Sequence, residues 1–488
     1  MKVRFCRRST APVRAVALVA GAVPPKPELA AVAGFTGRLG QVSDLVTRKR
    51  RLVLLGMGEG GDYEAAGALA TARLALQEHI ALDARGLAPD AAVALATGAC
   101  LRGWRFDRLR TRPDPAHFKH DRARLARIDV LTDDPAAATA AWAPVHAAVQ
   151  GALFARDLVA EPSNVITPQG FAARLARLET AGISVEVLDA AQLRNEGLRA
   201  LLAVGGASVN PPCMAVLRWR GTIDAPPVAF VGKGITFDTG GVSVKPRDGM
   251  WEMRADMAGA AACVGAMLAL ALRRSPAPAV AVLALAENML GAASYRPGDV
   301  LRTYDGTTVE VVDTDAEGRL VLADALAWTV ANLRPQVVVD LATLTGSVIV
   351  ALGHAMAGLF APDTPLSGVL AAHVAASGAA VDERVWRLPI GDPRPDALLS
   401  DIADVRQCST DRHQPDASLA AAFLQRFVGD VPWVHLDIAG VESREAKCDR
   451  HAFGATGFGV RLLDRLMALR FEDPDRRWPA SCLQRPAS

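Results

Sequence analysis

Short apolar runs alternate with Ala- and Leu-rich stretches along most of this chain. The runs have the length of buried strands, and the stretches between them are long enough for helices. Parallel strands need such crossover segments, because their ends lie at opposite edges of the sheet. The alternation therefore favours an α/β architecture with largely parallel sheets. Half of the residues (51%) are hydrophobic and 22% are charged, which is the composition of a globular chain.

The chain is long enough for more than one core. A long helix is predicted over residues 136–159, and the proline and serine of residues 161–164 mark a turn after it. We therefore predict a small N-terminal α/β domain over residues 1–160. A larger C-terminal α/β domain over residues 161–488 should have a mostly parallel central sheet flanked by helices.

The individual strands and helices follow from the same pattern. In the first domain we predict strands at residues 13–19, 52–55 and 92–96. In the second domain we predict a helix at residues 258–272 and strands at 228–231, 280–285, 308–312, 337–340 and 434–438. Residues 56–61 match the GxGxxG pattern of dinucleotide-binding turns, but Asp83, the acidic residue downstream, is predicted to follow a helix and not to end a strand. A plain glycine turn is the interpretation we prefer.

Charge and cysteine content exclude several classes of protein. The net charge is only +2, and we interpret the basic run at residues 48–51 as a solvated strand edge and not as a nucleic-acid site. The seven cysteines form no CxxC pair, which argues against a thiolate zinc site and suits a reducing cytosol. Arg14 interrupts the apolar N-terminal stretch, so we expect no cleaved signal peptide. No run reaches the ~20 uncharged apolar residues of a membrane helix.

Two polar runs at predicted strand ends carry the chemistry. The first, residues 313–320 (DTDAEGRL), places Asp315 and Glu317 beside Arg319. The second, residues 231–241 (VGKGITFDTGG), holds Lys233 and Asp238 among glycines, and Lys245 and Asp256 follow it. Crowded carboxylates repel one another unless cations neutralise them. All the anionic candidates are hard oxygen donors, which suit Mg²⁺, Mn²⁺ or Ca²⁺, and Zn²⁺ accepts them too.

Four carboxylates can neutralise about two divalent cations, and such a pair can activate a bridging water and polarise a carbonyl. Lys233 could ligate metal as a neutral amine. Lys245 could stay protonated and stabilise an oxyanion, while Arg319 could hold a carboxylate-like anion. A structural ion-pair network is the alternative, but glycine-rich strand-end loops with this many charges favour a metal site.

These runs closely resemble those of the leucine aminopeptidase family, also called the cytosol aminopeptidase family. The resemblance rests on residues 231–241, on Lys245-Pro246, on residues 253–257 (MRADM) and on residues 313–326 (DTDAEGRLVLADAL). It extends through residues 164–168, 295–299, 342–346 and 435–440, so it covers the chain from about Glu161 onwards.

The resemblance implies a metal-dependent exopeptidase that removes N-terminal residues, preferably leucine and other large apolar ones, by attack of a metal-bridging water. It implies two divalent ions per subunit, Zn²⁺ or Mn²⁺ and also Mg²⁺, with a bicarbonate at Arg319 as general base. Peptides would be the substrates, and the protein would be a cytoplasmic homohexamer that binds neither membrane nor nucleic acid. The implied metal ligands are Lys233, Asp238, Asp256, Asp315 and Glu317. The implied catalytic residues are Lys245 and Arg319, and the substrate pocket would use Met253, Thr343, Leu344 and Gly346.

The chain departs from the family pattern in two places. Asp313 stands where the family generally has Asn, and an extra carboxylate there could tighten metal binding, raise a neighbour's pKa or favour a harder metal. The segment Cys408 to Ser418 is typically glycine-rich in the family, whereas here it contains Asp411, His413 and Asp416. The shape of this loop is therefore expected to differ from that in the family. Access to the site and assembly of the oligomer could both depend on that shape.

Other readings remain open. A non-catalytic relative that keeps the fold for assembly or nucleic-acid binding is one, and a two-metal phosphoesterase is another. We interpret His354 and His435 as satisfied core-edge histidines, Asp437 as a backbone acceptor and Cys263 as buried and inert. Trp251 could either shape specificity or pack.

Overall fold

The computed structural model describes residues 1–18, 34–46, 51–111, 125–392, 396–411, 414–444 and 451–473. The chain divides into two compact units, Met1–Val149 with Glu445–Gly454 and Gln150–Arg444 with Ala455–Ser488. The domain boundary after residue 160 stays a prediction. Residues 48–50 of the basic run, residues 412–413 of the altered segment, Cys448 and Cys482 lie outside the described residues.

The first unit contains a six-stranded sheet. Its strands are β1 (Lys2–Cys6), β2 (Val13–Leu18), β3 (Val42–Val46), β4 (Arg51–Gly56), β5 (His79–Asp83) and β6 (Arg127–Leu131). They lie in the order β1-β6-β5-β2-β4-β3, and only β3 runs antiparallel to its neighbour. Its helices are α1 (Tyr63–Arg73) and α2 (Pro89–Gly103). The predicted strands at residues 13–19 and 52–55 are confirmed as β2 and β4.

The strand predicted at residues 92–96 is wrong, because these residues lie inside α2. Their run of apolar side chains is buried, and apolar content alone does not separate a buried helix from a buried strand. Pro89 at the first helical position and Asp90 in the first turn were the signals that indicated a helix.

The reason given against a dinucleotide site is also wrong, since Asp83 ends strand β5 and does not follow a helix. Other features of the structure oppose the site. The Arg85 guanidinium donates two hydrogen bonds to the Asp83 carboxylate, at 2.7 and 2.5 Å. Moreover, β2 lies between β4 and β5, so the strands on either side of the glycine turn are not neighbours as the dinucleotide fold requires.

The second unit is built on an eight-stranded sheet. Its strands are β7 (Ser184–Leu188), β8 (Cys213–Trp219), β9 (Val228–Asp238), β10 (Ala279–Asn288), β13 (Val337–Ala342), β14 (Ala357–Phe360), β15 (Val385–Arg387) and β17 (Trp433–Asp437); the shorter strands are β11 (Val300–Arg302), β12 (Thr308–Glu310), β16 (Val405–Arg406), β18 (Ser443–Arg444) and β19 (Gly454–Ala455). The order in the large sheet is β15-β14-β17-β13-β9-β10-β8-β7. The four central strands, β17, β13, β9 and β10, run parallel to one another. The five strands predicted for this part of the chain are all present.

Helices cover this sheet. Helix α3 (Pro135–Ala160) contains the boundary between the units, and the others are α4 (Pro168–Glu179), α5 (Ala190–Glu196), α6 (Arg199–Gly205), α7 (Ala258–Leu272), α8 (Glu317–Leu333), α9 (Gly346–Leu352), α10 (Pro365–Ala380), α11 (Asp416–Gln425) and α12 (Val460–Arg470). The helices predicted at residues 136–159 and 258–272 are confirmed as α3 and α7. The stretch Arg247–Leu272 is long and apolar enough to pass as a membrane span by composition, but 83% of its apolar 18-residue window is buried, as expected of a core helix.

Helix α7 packs so closely on the central strands that Gly259, one of its two glycines, cannot carry a side chain without a clash. A Cβ atom on Gly259 would lie 2.0 Å from the carbonyl oxygen of Leu341, at the end of β13. Backbone cannot move out of the way as a flexible side chain can. The close contact holds the end of β13 next to β9, where the candidate site lies.

We expect the Gly259→Ala variant to unfold more easily, because the added methyl group must push α7 away from β13 at a cost of about 1–3 kcal/mol or more. Gly368 in α10 is the matched control, since a Cβ there meets no described atom within 4 Å. Gly368→Ala should instead raise the melting temperature, because alanine is favoured over glycine in a helix by about 0.5–1 kcal/mol. Equal melting temperatures for the two variants would contradict this packing.

Candidate metal centre

The C-terminal edge of the parallel strands carries a cluster of opposite charges. Asp238 ends β9, and its Oδ1 accepts hydrogen bonds from the backbone N–H of Gly240 at 2.8 Å and from Asn288 Nδ2 at 2.7 Å. The chain then turns back through Gly240, whose φ of 86° is in the left-handed region that glycine adopts most easily. The turn returns Lys245 to the strand end, where its Nζ lies 2.8 Å from Asp238 Oδ2 and 2.5 Å from Asp315 Oδ1.

A second lysine joins the other two carboxylates. Lys233, within β9, places its Nζ 2.9 Å from Asp256 Oδ1 and 2.8 Å from Glu317 Oε1. The same ammonium donates to the carbonyl of Thr343 at 2.9 Å, and the Thr343 hydroxyl donates to Asp256 Oδ1 at 2.6 Å. The structure therefore brings together all five residues proposed from sequence as metal ligands.

The protonation states of this cluster are perturbed by burial and by mutual repulsion. Burial, followed by the charge of Asp238, raises the pKa of Asp315 to about 7, although Lys245 opposes the shift. Burial likewise raises the pKa of both Asp256 and Glu317. Burial by itself lowers the pKa of Lys233, but the carboxylates of Asp256 and Glu317 outweigh it and raise that pKa overall. Two lysines do not satisfy four crowded carboxylates.

The donor set fits divalent metal ions. One oxygen from each of Asp238, Asp315 and Glu317 lies within 4.8 Å of the others. Asp256 Oδ2 and Glu317 Oε2 are buried and have no hydrogen-bond partner among the described residues. Buried anionic oxygens without partners are costly, and a cation would satisfy them. For Lys233 to ligate a metal, its ammonium would have to lose one of the three protons that it can donate to Asp256, Glu317 and the carbonyl of Thr343.

Two amide side chains hold the carboxylate loop in place, and sequence reasoning missed both. Asn288 at the end of β10 donates to Asp238 and to the carbonyl of Thr314, at 2.7 and 3.0 Å. Gln407 accepts from the backbone N–H groups of residues 312 and 313 at 2.7 and 3.2 Å, and donates to the carbonyl of Ala316 at 3.1 Å. Asn288 follows a predicted strand, which was a usable signal, but nothing near Gln407 in sequence indicated its role.

Arg319 lies in the first turn of α8 and is almost fully buried. Its Nη1 donates to the carbonyl of Gln407 at 3.0 Å, and its Nη2 donates to Asp416 Oδ1 at 2.9 Å. Burial lowers its pKa and Asp416 raises it, with a net rise. The guanidinium therefore already binds a carboxylate from the altered segment, where the resemblance implied a bicarbonate.

The residues predicted to line the substrate pocket lie in two places. Met253 is in the 3-10 turn Trp251–Ala255, which leads to Asp256. Thr343, Leu344 and Gly346 follow β13, and a Cβ atom on Gly346 would have open space around it. The N–H of Leu344 already donates to Asp437 Oδ1 at 3.1 Å. Trp251 is 59% exposed, with the Arg254 guanidinium 5.3 Å from its ring centre.

His354, Asp437 and Cys263, interpreted as structural, behave as expected, but His435 does so only in part. His435 is fully buried and its Nδ1 lies 2.6 Å from Asp340 Oδ1, whereas its Nε2 has no hydrogen-bond partner among the described residues. The Nδ1–H of His354 donates to the carbonyl of Gly440 at 2.8 Å. Asp437 accepts from the N–H groups of Leu344 and Ala439 and from the Thr345 hydroxyl. Cys263 is fully buried.

Clustered carboxylates and lysines beside the C-terminal edge of a parallel sheet are typical of metal-dependent hydrolases, and known proteins identify the kind. Residues 153–464 match the model of the cytosol aminopeptidase family, catalytic domain. A probable cytosol aminopeptidase of Nitrobacter winogradskyi is 45% identical over 80% of this chain and 77% of its own. One of Rhizobium etli is 40% identical over 91% of this chain and 90% of its own.

Solved structures agree. The bottromycin maturation enzyme BotP in complex with Mn superposes with a TM-score of 0.84 at 36% identity, covering 94% of this chain and all (100%) of its own. A tomato leucine aminopeptidase variant gives a TM-score of 0.84 at 29% identity, covering 96% of this chain and 97% of its own. The chain belongs to the cytosol aminopeptidase family. It is a peptidase, and the fold predicted from its sequence is confirmed.

Asp313 lies next to this centre, and its Oδ1 accepts the N–H of Asp315 at 2.9 Å. An asparagine oxygen can accept the same bond, so Asp313→Asn should keep the turn and remove only a charge. We expect Mn²⁺ to bind the variant about two- to fivefold more weakly, because a nearby unit charge stabilises a divalent ion by about 1 kcal/mol in a wet site. Calorimetric titration of chelator-treated protein measures this. Asp363→Asn, an exposed carboxylate paired with Arg387, is the control, and unchanged or tighter binding to Asp313→Asn would contradict the expectation.

Proposed function

We propose that this enzyme removes N-terminal residues from peptides, with leucine and other large apolar residues preferred. Lys233, Asp238, Asp256, Asp315 and Glu317 would hold two divalent metal ions. The proposal depends on the convergence of three carboxylate oxygens within 4.8 Å, together with two buried oxygens, Asp256 Oδ2 and Glu317 Oε2, that have no hydrogen-bond partner among the described residues.

Two bound ions would supply a water of lowered pKa and would polarise the scissile carbonyl. The protein residues would position and neutralise the reacting groups. Lys245 stands at the more open side of the cluster, since 19% of its side chain is exposed against 4% for Lys233. Its ammonium can therefore reach a carbonyl oxygen that becomes negative as the water attacks, and lower the energy of that charge.

The substrate's first side chain would lie against Met253, Thr343 and Gly346, with hydrogen bonds from the backbone of Leu344. The open space around Gly346 supports a pocket there, and Thr343 couples the pocket to the metal centre through its bond to Asp256. Because the N–H of Leu344 is already used by Asp437, its carbonyl is the group available to a substrate amine. A large apolar first residue would bury more apolar surface in this pocket than a small first residue, and would therefore bind more tightly.

The metal ions would be Zn²⁺ or Mn²⁺, with Mg²⁺ as a third candidate. An all-oxygen carboxylate set with one lysine suits Mn²⁺ and Mg²⁺, and Zn²⁺ also accepts these ligands. The Mn-bound state of a structural neighbour supports Mn²⁺. The names of the curated relatives support a cytoplasmic location.

Chelator-treated protein should not release nitroaniline from leucine p-nitroanilide, and added Mn²⁺ or Zn²⁺ should restore the activity. Asp256→Ala and Glu317→Ala should both lose at least about 10²-fold in kcat/KM, since each removes a ligand that no neighbour replaces. The exposed Asp363→Asn variant serves as the control for surface charge. Full metal-dependent turnover by either ligand variant would refute the site assignment, and chelator-resistant activity would refute the metal requirement.

We also propose a homohexamer with peptide access from an interior cavity. Light scattering coupled to size exclusion should give about six times the subunit mass of 51.3 kDa. A monomeric mass at working concentration would overturn this assembly without bearing on the metal centre.

A further inference from the structure

Glu442 carries a buried carboxylate oxygen that lacks a partner and lies outside the metal centre. Its Oε2 is buried without a hydrogen-bond partner among the described residues, and its Oε1 accepts a long bond from the Ser443 hydroxyl at 3.2 Å. No described lysine or arginine forms an ion pair with this carboxylate. A buried anionic oxygen is costly unless a cation or a donor reaches it.

The loop after β17 lies at the same edge of the sheet as the metal centre. Strands β17, β13 and β9 are parallel neighbours, so the loops that follow them lie side by side. Asp437 Oδ1 accepts the N–H groups of both Leu344 and Ala439, at 3.1 and 3.2 Å. One carboxylate oxygen therefore joins the loop after β17 to residues 343–346, the segment proposed to line the substrate pocket.

A tight turn precedes Glu442 and keeps it near this junction. The N–H of Val441 donates to the carbonyl of Ile438 at 3.1 Å, the hydrogen bond of a four-residue turn whose ends lie less than about 7 Å apart. The three residues from Ala439 to Glu442 span at most about 10 Å when extended, and the turn shortens that span. A long side chain in the proposed pocket can bridge a gap of this size.

The carboxylate lies beside the turn. Burial raises the pKa of Glu442, while the N–H groups of Glu442 and Gly440 and the charge of His354 oppose the rise. Because Gly440 belongs to the turn, the side chain is folded back towards the end of β17. A Cβ atom on Gly440 would lie 3.0 Å from Ile349 Cγ1 of α9, the helix that begins at Gly346. The turn therefore packs on the helix whose first residue is proposed to line the pocket.

We infer that Glu442 is a specificity-determining residue, whose carboxylate selects lysine or arginine as the first residue of the peptide. The inference rests on the proposed aminopeptidase function and names a class of substrate for the same site. Lysine and arginine have apolar stems, which suit a pocket that also takes leucine, and a charged end, which pairs with the carboxylate. Leucine fills the apolar part of the pocket but leaves Oε2 without a partner.

The test measures kcat/KM of the Mn²⁺-loaded enzyme for the p-nitroanilides of lysine and norleucine, which share a four-carbon side chain and differ in the ammonium group. Wild type should favour lysine at least about tenfold, as expected of a hydrogen bond between charged groups. Glu442→Gln keeps the shape and removes the charge, so the lysine preference should disappear and turnover of the norleucine derivative should rise. Glu186→Gln, an exposed glutamate paired with Arg218, is the matched control and should keep the wild-type ratio.

Calorimetric titration of the Mn²⁺-loaded protein with L-lysine and with L-norleucine gives a readout that needs no turnover. Wild type should bind L-lysine at least about tenfold more tightly, and Glu442→Gln should lose that difference. Equal kcat/KM for the two substrates in wild type, or a lysine preference that survives in Glu442→Gln, would overturn the inference. If the wild type hydrolyses no nitroanilide, the proposed function fails, and the titration still decides whether the pocket selects a cation.

Discussion

The pairing of four crowded carboxylates, three of them buried, with two lysines is the interaction on which the rest of the catalytic unit depends. Each ammonium joins one pair, Lys233 with Asp256 and Glu317, and Lys245 with Asp238 and Asp315. Two positive charges leave two negative charges over, in a setting where burial makes repulsion strong. The fold must therefore hold the acids in place against their own repulsion, and divalent ions would relieve it.

Uncharged groups hold the four carboxylates in place against this repulsion. Asn288, Gln407 and the Thr343 hydroxyl bond to the carboxylates or to the backbone of residues 312–316. Partners of this kind orient metal ligands and prevent the loop from relaxing outwards when no ion is bound. Close packing of α7 on β13 fixes the strand ends to which the loops are attached. The geometry of the site therefore depends on glycine and amide residues that are not themselves proposed metal ligands.

The sequence was sufficient to predict residues whose role follows from their own motif. It was not sufficient for residues whose role depends on partners far along the chain. The prediction that Asp238 lies at the C-terminal edge of a parallel sheet is confirmed by β9, but β12, the strand before the Glu317 run, belongs to the separate β11-β12-β16 sheet. The error at residues 92–96 arose because a buried helix and a buried strand have the same apolar content. Gln407 and Asp416 act through partners about 90 or more residues away, such as Arg319. Nothing in their own neighbourhoods indicates those partners.

Both departures from the family pattern add a carboxylate, and each extra charge lies where the fold can accommodate it. Asp313 precedes the N-terminus of α8, where the helix dipole favours negative charge. Asp416 is the first residue of α11 and also faces Arg319, so it is stabilised from two sides. Both carboxylates therefore lie next to residues of the proposed site, Asp315 and Arg319, and neither is one of the proposed metal ligands. Extra negative charge placed in this way can strengthen the binding of cations and leave the proposed ligands unchanged.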